Sequence, residues 1–452
     1  MPSRSVATLV AAFLGLSAPV AAHAFHSGGV AECEGCHTMH NTKGSGKAVP
    51  LANGVGQGAI FLLQGTDQSS TCLNCHNSAD AAPSGYHVST DDSMFTTGLK
   101  NYDNANTSPV EMTPGGDFGW LKVDRNVTVR GAVSVMLGAE RGHNINAVDY
   151  GYNKTPNNDT APGGTFPTAS LHCSSCHDPH GRYRRDASGA YSTTGLPIWT
   201  SGSYATANAP VAGVYAVGAY RILGGAGYAP KSNPGYPFGA TTNPPDAVAP
   251  SSYNRSEAAG QTHVAYGRGM SEWCANCHPA MLENAYASGV AGHRHPAGSS
   301  AKLTPAIIAN YNAYVSSGKM TNTNVNTAYS TLAPFEMGIA DSTPASYATL
   351  KTLAVTTDTQ NQSATASSNV SCLSCHRAHA SAFTAMTRFF LENEFMTIGD
   401  ATGVASYDSN ATENKINYAL NPTEQQNAYY GRPASVFGPY ARDYCNKCHA
   451  KD

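Results

Sequence analysis

The run Cys-x-x-Cys-His occurs six times in this chain, at Cys33/Cys36/His37, Cys72/Cys75/His76, Cys173/Cys176/His177, Cys274/Cys277/His278, Cys372/Cys375/His376 and Cys445/Cys448/His449. Together the six runs consume all 12 cysteines. Paired Cys-x-x-Cys also builds zinc sites, and an even cysteine count in an exported chain commonly means disulfides. Neither requires His directly after the second Cys. His makes up only 17 of 452 residues, so six such coincidences are not credible. The run is the attachment motif of c-type haem: two thiols form thioethers to the vinyl groups, and the adjacent imidazole reaches the iron. Six covalently bound haem c groups are expected, with His37, His76, His177, His278, His376 and His449 as proximal iron ligands.

That load of cofactor constrains the fold. A chain of this length normally suggests two or three domains. Here 44 Gly and 26 Pro leave few uninterrupted periodic segments. Each macrocycle contributes on the order of 10 kcal/mol in gross apolar burial, so the haems make up most of the core and loops can wrap them. The expectation is mostly irregular coil with short α-helices and very little β, wrapped around a chain of six haems.

Residues 1–24 read as a secretory signal peptide, cleaved after Ala22-His23-Ala24. Arg4 gives the positive start, and Val6 to Leu16 the short apolar stretch, too short to span a bilayer comfortably. Residues 25–452 are then expected to form a single hexahaem unit, exported through the periplasm. The leader carries Arg4 and no acid, leaving 26 Lys+Arg against 30 Asp+Glu. That balance is no nucleic-acid footprint, which would be a basic face or stripe. No later stretch has transmembrane length.

The spacing of the motifs suits one helical turn presenting Cys, Cys and His together. Longer helices are expected over Thr304 to Ser317, with Pro305 at its start, and over Ser381 to Phe395, where Phe383, Met386 and Phe390 recur at helical spacing. Val127 to Val135 is rich in β-branched residues and reads as a short strand. Asn101 to Gly119, Asn153 to Ser170 and Tyr228 to Tyr253 read as coil. The motif repeats without evident repetition of the sequence between copies, which argues for one string of haems rather than duplicated domains.

The residue opposite each proximal His sets the chemistry: Met raises the potential, a second His lowers it, and an open position admits substrate. Ten further His remain after the leader, namely His26, His40, His87, His143, His172, His180, His263, His293, His295 and His379. Six distal positions can be filled from His40, His180, His379, His143, His87, His295, His26 and His172. His40, His180 and His379 each stand three residues beyond a motif His. At that spacing a side chain stays on its own side of the turn and is better placed to reach a neighbouring haem, or to hydrogen-bond a propionate. His87, His143 and His295 lie in coil between motifs, where a loop can deliver an imidazole or leave it solvated. His26 and His172 lie close to Cys33 and Cys173, while His263 and His293 carry no supporting pattern. Met39 and Met270 are conceivable ligands, though isolated Met more often packs.

Seven stretches carry a further signal: FHSGGVAECEGCHTMH (25–40), MTPGGDFGW (112–120), LHCSSCHDPHG (171–181), GAYRILGG (218–225), MSEWCANCH (270–278), CLSCHRAHA (372–380) and CNKCHAKD (445–452). Through them the chain resembles the filament-forming, outer-surface hexahaem c-type cytochromes of metal-reducing bacteria, over essentially its whole mature length. The resemblance implies a helical filament of head-to-tail copies. In it, His40 ligates the haem at Cys372/Cys375/His376 of the adjacent subunit. His26, His87, His143, His172, His180, His295 and His379 fall in matching stretches, whereas His263 and His293 do not. Loop lengths near 41–60 and 285–330 also depart from the pattern.

The implied function is extracellular long-range electron transfer to acceptors such as metal oxides or partner cells, with redox partners but no catalytic residues. A discrete periplasmic or outer-surface carrier is the alternative, and a multihaem reductase a further one. Such reductases usually carry a variant Cys-x-x-Cys-Lys motif, which is absent here.

Overall fold

The computed structural model describes residues 33–37, 62–79, 87–102, 108–129, 131–179, 184–185, 191–192, 217–218, 223–240, 242, 244–248, 257–258, 264–282, 295–313, 332–339, 344–354, 363–392, 394–399, 405–409, 419–436 and 440–449. The leader and His26, His40, His180, His263 and His293 lie outside these residues. Most of the described chain is turn and coil, joined to short helices and to small two- or three-stranded sheets. Among the described residues the longest helix is Pro344–Leu353.

Five motifs begin or end in a short α-helix: Cys33–Cys36, Gln68–His76, Met270–Cys274, Cys372–Cys375 and Arg442–Cys445. The motif at Cys173 is a single 3-10 turn, Cys173–Ser175. In most of them the motif His closes the turn through its own N–H. His177 donates to Cys173 O (2.9 Å), His278 to Cys274 O (3.0 Å), His376 to Cys372 O (2.9 Å) and His449 to Cys445 O (3.0 Å). The expected helix after Thr304 is present as Pro305–Ala313.

Two local expectations change. The β-branched stretch is the heart of a hairpin, Val123–Val129 paired antiparallel with Ala132–Met136, turning through Gly131 at φ +80°. The expected helix over Ser381 to Phe395 is not formed. Arg377 N–H donates to Met386 O and Arg388 N–H to Cys375 O, both at 2.8 Å, which draws this stretch back along the fifth motif in extended pairing. Phe383, Phe389 and Phe390 are still buried. The periodic apolar face therefore marks burial without helix, because main-chain pairing with the motif wins over the local pattern.

A repeat hidden in the sequence emerges from the main chain. After the first, third and fifth motifs the chain returns to bridge the motif His, pairing His37 with Leu63, His177 with Leu223 and His376 with Thr387. The next residue then donates to the second Cys carbonyl, in the order Gln64 to Cys36, Gly224 to Cys176 and Arg388 to Cys375, each at 2.8 Å. The second and fourth motifs are instead entered through helices, which dock on the following odd motif. Cys173 N–H donates to Ser69 Oγ (3.0 Å), and Cys372 N–H donates to Ser271 Oγ (3.1 Å). Both serines stand three residues before the first Cys of their own motif and are fully buried.

The largest apolar cluster combines Trp120, Tyr311, Phe335, Phe383, Phe389, Phe390, Tyr429 and Tyr444. Buried charges lie beside it. Arg125 forms a bidentate pair with Glu424 (2.9 and 3.0 Å). Glu257 accepts from Arg377 and from Arg388 (3.3 Å).

Candidate functional site: paired imidazoles beside the cysteine motifs

Among the described residues no disulfide joins the cysteines. Motifs consecutive in sequence are neighbours in space. Cys72 and Cys173 are in hydrogen-bonding contact, as are Cys274 and Cys372. Cys36 lies near Cys72, Cys176 near Cys277, and Cys375 near Cys445 and Cys448. The result is a string in chain order. From the second motif onward, contacts alternate between first-cysteine and second-cysteine edges. Among the described residues no group of three or more His, Cys, Asp or Glu converges as a zinc site would require.

Cys75 and Cys445 are exposed, whereas the other described cysteines are half-buried. The reason at Cys75 is helical. It lies in the last turn of Gln68–His76, whose buried face is made by Ser69, Ser70, Thr71 and Leu73, so Cys75 and its neighbour Asn74 fall on the outer face. The neighbouring Asn74 Oδ1 accepts from the Tyr150 phenol (3.0 Å). Cys445 likewise closes the short helix Arg442–Cys445, in which Tyr444 is the buried residue. At the second motif it is the first cysteine, Cys72, that meets the string.

Three pairs of imidazoles face each other beside this string, each joining a motif His to one from elsewhere in the chain. The ring centres of His177 and His379 are 6.4 Å apart, those of His143 and His278 5.9 Å, and those of His295 and His449 6.0 Å. Two imidazoles on opposite faces of one metal, each bonded at about 2 Å through nitrogen, hold their ring centres about 6 Å apart. The three pairs therefore fit a haem iron held between two histidines.

The hydrogen bonds of these rings point the same way. Nδ1 of His143 lies 2.7 Å from Ala378 O, that of His278 2.7 Å from Pro162 O, that of His295 2.8 Å from Pro296 O and that of His376 2.8 Å from Ala385 O. A carbonyl only accepts, so Nδ1 carries the proton and Nε2 keeps its lone pair for a metal. Burial, reinforced by the neighbouring His278 ring, pushes His143 down to about 4 against the pull of the Ala378 carbonyl. Burial likewise lowers His376. Both rings are then neutral at pH 7, the form that ligates. At His376 the acceptor is turned inward by strained backbone, with Ala385 at φ +54° and Met386 at φ +49°, a conformation costing roughly 1–3 kcal/mol per residue.

His379 is placed by a segment whose role the sequence reading did not assign, the stretch 112–120. His379 N–H donates to Gly115 O (2.7 Å), Gly116 and Gly142 both bridge Ala380, and Phe118 stacks on the His379 ring with centres 4.8 Å apart. A side chain at Gly116, held at φ +99°, would collide with Ala380 O. The doubled glycine was the available signal for this close approach.

Of the other candidates, His172 sits just before the Cys173 turn, its Nδ1 3.3 Å from Ser69 Oγ and 3.8 Å from Asp67 Oδ1. His87 is buried with Nδ1 3.7 Å from Glu111 Oε1. Met270 is buried in an apolar cluster with Val264, Tyr266 and Leu373. Met39 lies outside the described residues. Among the described residues no helix is long and apolar enough to cross a membrane.

No protein-family model matches the chain. It is 53% identical to the C-type cytochrome OmcS of Geobacter sulfurreducens over 447 residues, 98% of each chain. Two solved structures share its fold at a TM-score of 0.80, each covering 95% of this chain and 100% of its own. One is a cryo-EM structure of OmcS nanowires at 50% identity, the other an outer membrane cytochrome S filament at 51%, both from Geobacter sulfurreducens. With the paired imidazoles and the string of cysteine motifs, this likeness over nearly the full length establishes that the chain belongs to the OmcS family of c-type cytochromes.

Proposed function

We propose that this chain binds six haem c groups and polymerises into an extracellular, outer-surface filament that conducts electrons. The assembly of its relatives as nanowires and filaments supports the polymer, and the leader at residues 1–24 supports export through the periplasm. Haem c supplies an iron centre that carries one electron. The chain's part is to hold each iron between two imidazoles and to keep neighbouring centres in contact. All six motifs serve as attachment sites in this reading, Cys75 and Cys445 included, since a thioether at the rim of a macrocycle needs no burial of its own. Two strong ligands retained in both oxidation states leave no face open for substrate, in keeping with an electron-transfer protein rather than an enzyme.

The observation that carries this reading is the set of three imidazole pairs, and their pattern extends to the remaining centres. His379 follows the fifth motif and faces His177 of the third. One repeat earlier, His180 follows the third motif and is assigned to His37 of the first. His40 follows the first motif, and its counterpart lies one repeat further back, where only an adjacent subunit can supply a fifth motif with His376. The even motifs obey a second rule. His143 precedes the third motif and faces His278 of the fourth, while His295 precedes the fifth and faces His449 of the sixth. His26, which precedes the first motif, is then the partner of His76.

Six ligands are thus drawn from the eight candidates, leaving His87 and His172 to their carboxylate contacts. Every subunit lends His40 and borrows one in return, a heterologous contact that propagates. His40→Ala tests this: haem-loaded protein without long filaments is expected by electron microscopy, and filaments of ordinary length would overturn the shared ligand.

A further inference from the structure

The junction between the fourth and fifth motifs holds a carboxylate with no assigned role. Glu336 is about 1% exposed. Its Oε1 accepts from Met270 N–H (2.7 Å), the first residue of the helix leading to Cys274. Its Oε2 accepts from Asn369 Nδ2 (2.7 Å), three residues before Cys372. The main chains of Glu336 and Asn369 also exchange both hydrogen bonds, at 3.0 and 2.9 Å. One side chain therefore ties together the two segments whose first cysteines touch. Both Cys274 and Cys372 feel its charge.

Its donors are neutral amides. The charged and titratable groups around it are few. Glu272 on the Met270–Cys274 helix repels it. Lys302 reaches Asn369 Oδ1 (3.1 Å) rather than the carboxylate. Tyr266 lies on the adjoining strand, where Arg268 is engaged by Asp246 (2.8 Å). The corresponding junction between the second and third motifs also has a carboxylate, Asp67, capping the helix that leads to Cys72. That one is partly solvated and accepts from Ser70 N–H, Ser70 Oγ and Val148 N–H. The two junctions share their backbone plan and differ in how dry the carboxylate is.

A buried carboxylate with no cation beside it among the described residues, next to a centre whose charge changes by one on each electron transfer, is the arrangement in which proton and electron are coupled. We propose that Glu336 is the proton-accepting partner of the haem pair attached at Cys274 and Cys372. The step balances simply. When a bound haem of this pair took up one electron from a neighbouring haem, the Glu336 carboxylate would take up one proton from bulk water to become the acid, and would release it as the electron left. Burial already pushes Glu336 up to about 7, against the hydrogen bonds from Met270, Asn369 and Gly269 that favour its charged form, so proton uptake falls within the physiological range. Added electron density nearby raises it further.

This inference rests on the six-haem reading, so the test begins by counting haems per chain in purified filaments; a count below six faults that reading instead. Filaments with six haems are then titrated spectroelectrochemically at pH 6 and pH 8. In the wild type, part of the haem absorbance gains reduced fraction as pH falls. One proton per electron changes the reduced-to-oxidised ratio by up to about tenfold per pH unit. Glu336→Gln removes that dependence. Redox-difference infrared spectra gain a carboxylic acid C=O band on reduction of the wild type; Glu336→Gln lacks it and Glu336→Asp retains it, displaced. Should the variants fail to assemble, wild-type filaments grown with isotope-labelled glutamate must show the band shift. An unshifted or absent band, or full pH dependence in Glu336→Gln, overturns the proposal.

Discussion

Replacing Gly115 by Ala tests the distal ligand geometry without touching a ligand. A Cβ at this position would stand 2.6 Å from Nδ1 and 2.8 Å from Cε1 of His379, whereas ordinary contact begins at 3.4 Å. Either the ring or the main chain must retreat by about 0.8 Å. The main chain is held by the 2.7 Å bond from His379 N–H to Gly115 O and by the pairing of Ala380 with Gly116 and Gly142. The ring is the freer part. A metal–imidazole bond is only about 2 Å long, and a displacement of that size breaks it. Overpacking of this kind costs about 1–3 kcal/mol. Electron paramagnetic resonance of the oxidised protein should show one haem turned high-spin, with a lower denaturation midpoint. Haems that all stay low-spin at unchanged stability would refute the assignment of His379 to the centre at His177.

Two further substitutions probe the frame around the haems. Glu424→Gln leaves Arg125 fully buried without its bidentate partner and beside Lys100, its buried cross-strand neighbour. Burial has already pulled Lys100 down to about 8, with Glu424 opposing the shift. A loss of about 3–5 kcal/mol is expected in chemical denaturation, and a change below 1 kcal/mol would show that the pair is solvated. Ser271→Ala removes the acceptor of Cys372 N–H and, by the same logic, Ser69→Ala that of Cys173. Each should cost about 1–3 kcal/mol, the range for a buried donor left unmade. Combined, their effects should add, because the two junctions are separate; strong non-additivity would mean that they move as one body.

Membership of the c-type cytochromes was legible because covalent haem attachment demands a contiguous run of residues. Which of the motif thiols are exposed was not, because the exposure of Cys75 depends on the face its helix turns toward the third motif. The helix after Pro305 was legible for a local reason, its start being written in the residues themselves. The three-fold repeat was not. Its returning segments meet their motifs at Leu63, Leu223 and Thr387, so very different lengths of chain intervene, and only main-chain hydrogen bonds are shared between copies. Main-chain bonds leave no trace in residue type. Histidine count alone also left eight candidates for six places, since the fold pairs imidazoles far apart in sequence, such as His143 and His278. Glu336 was silent altogether: nothing beside it in the chain announces that Met270 and Asn369 will close on it.

The acceptors that orient the imidazoles are the carbonyls of Pro162, Pro296, Ala378 and Ala385. A peptide oxygen persists whatever residue bears it. Mutation can thus rewrite the side chains around these four imidazoles while leaving their basicity nearly where it was. Drift to about half identity, as separates this chain from its Geobacter relative, is tolerable for a wire tuned by its backbone in a way it would not be for one tuned by side chains.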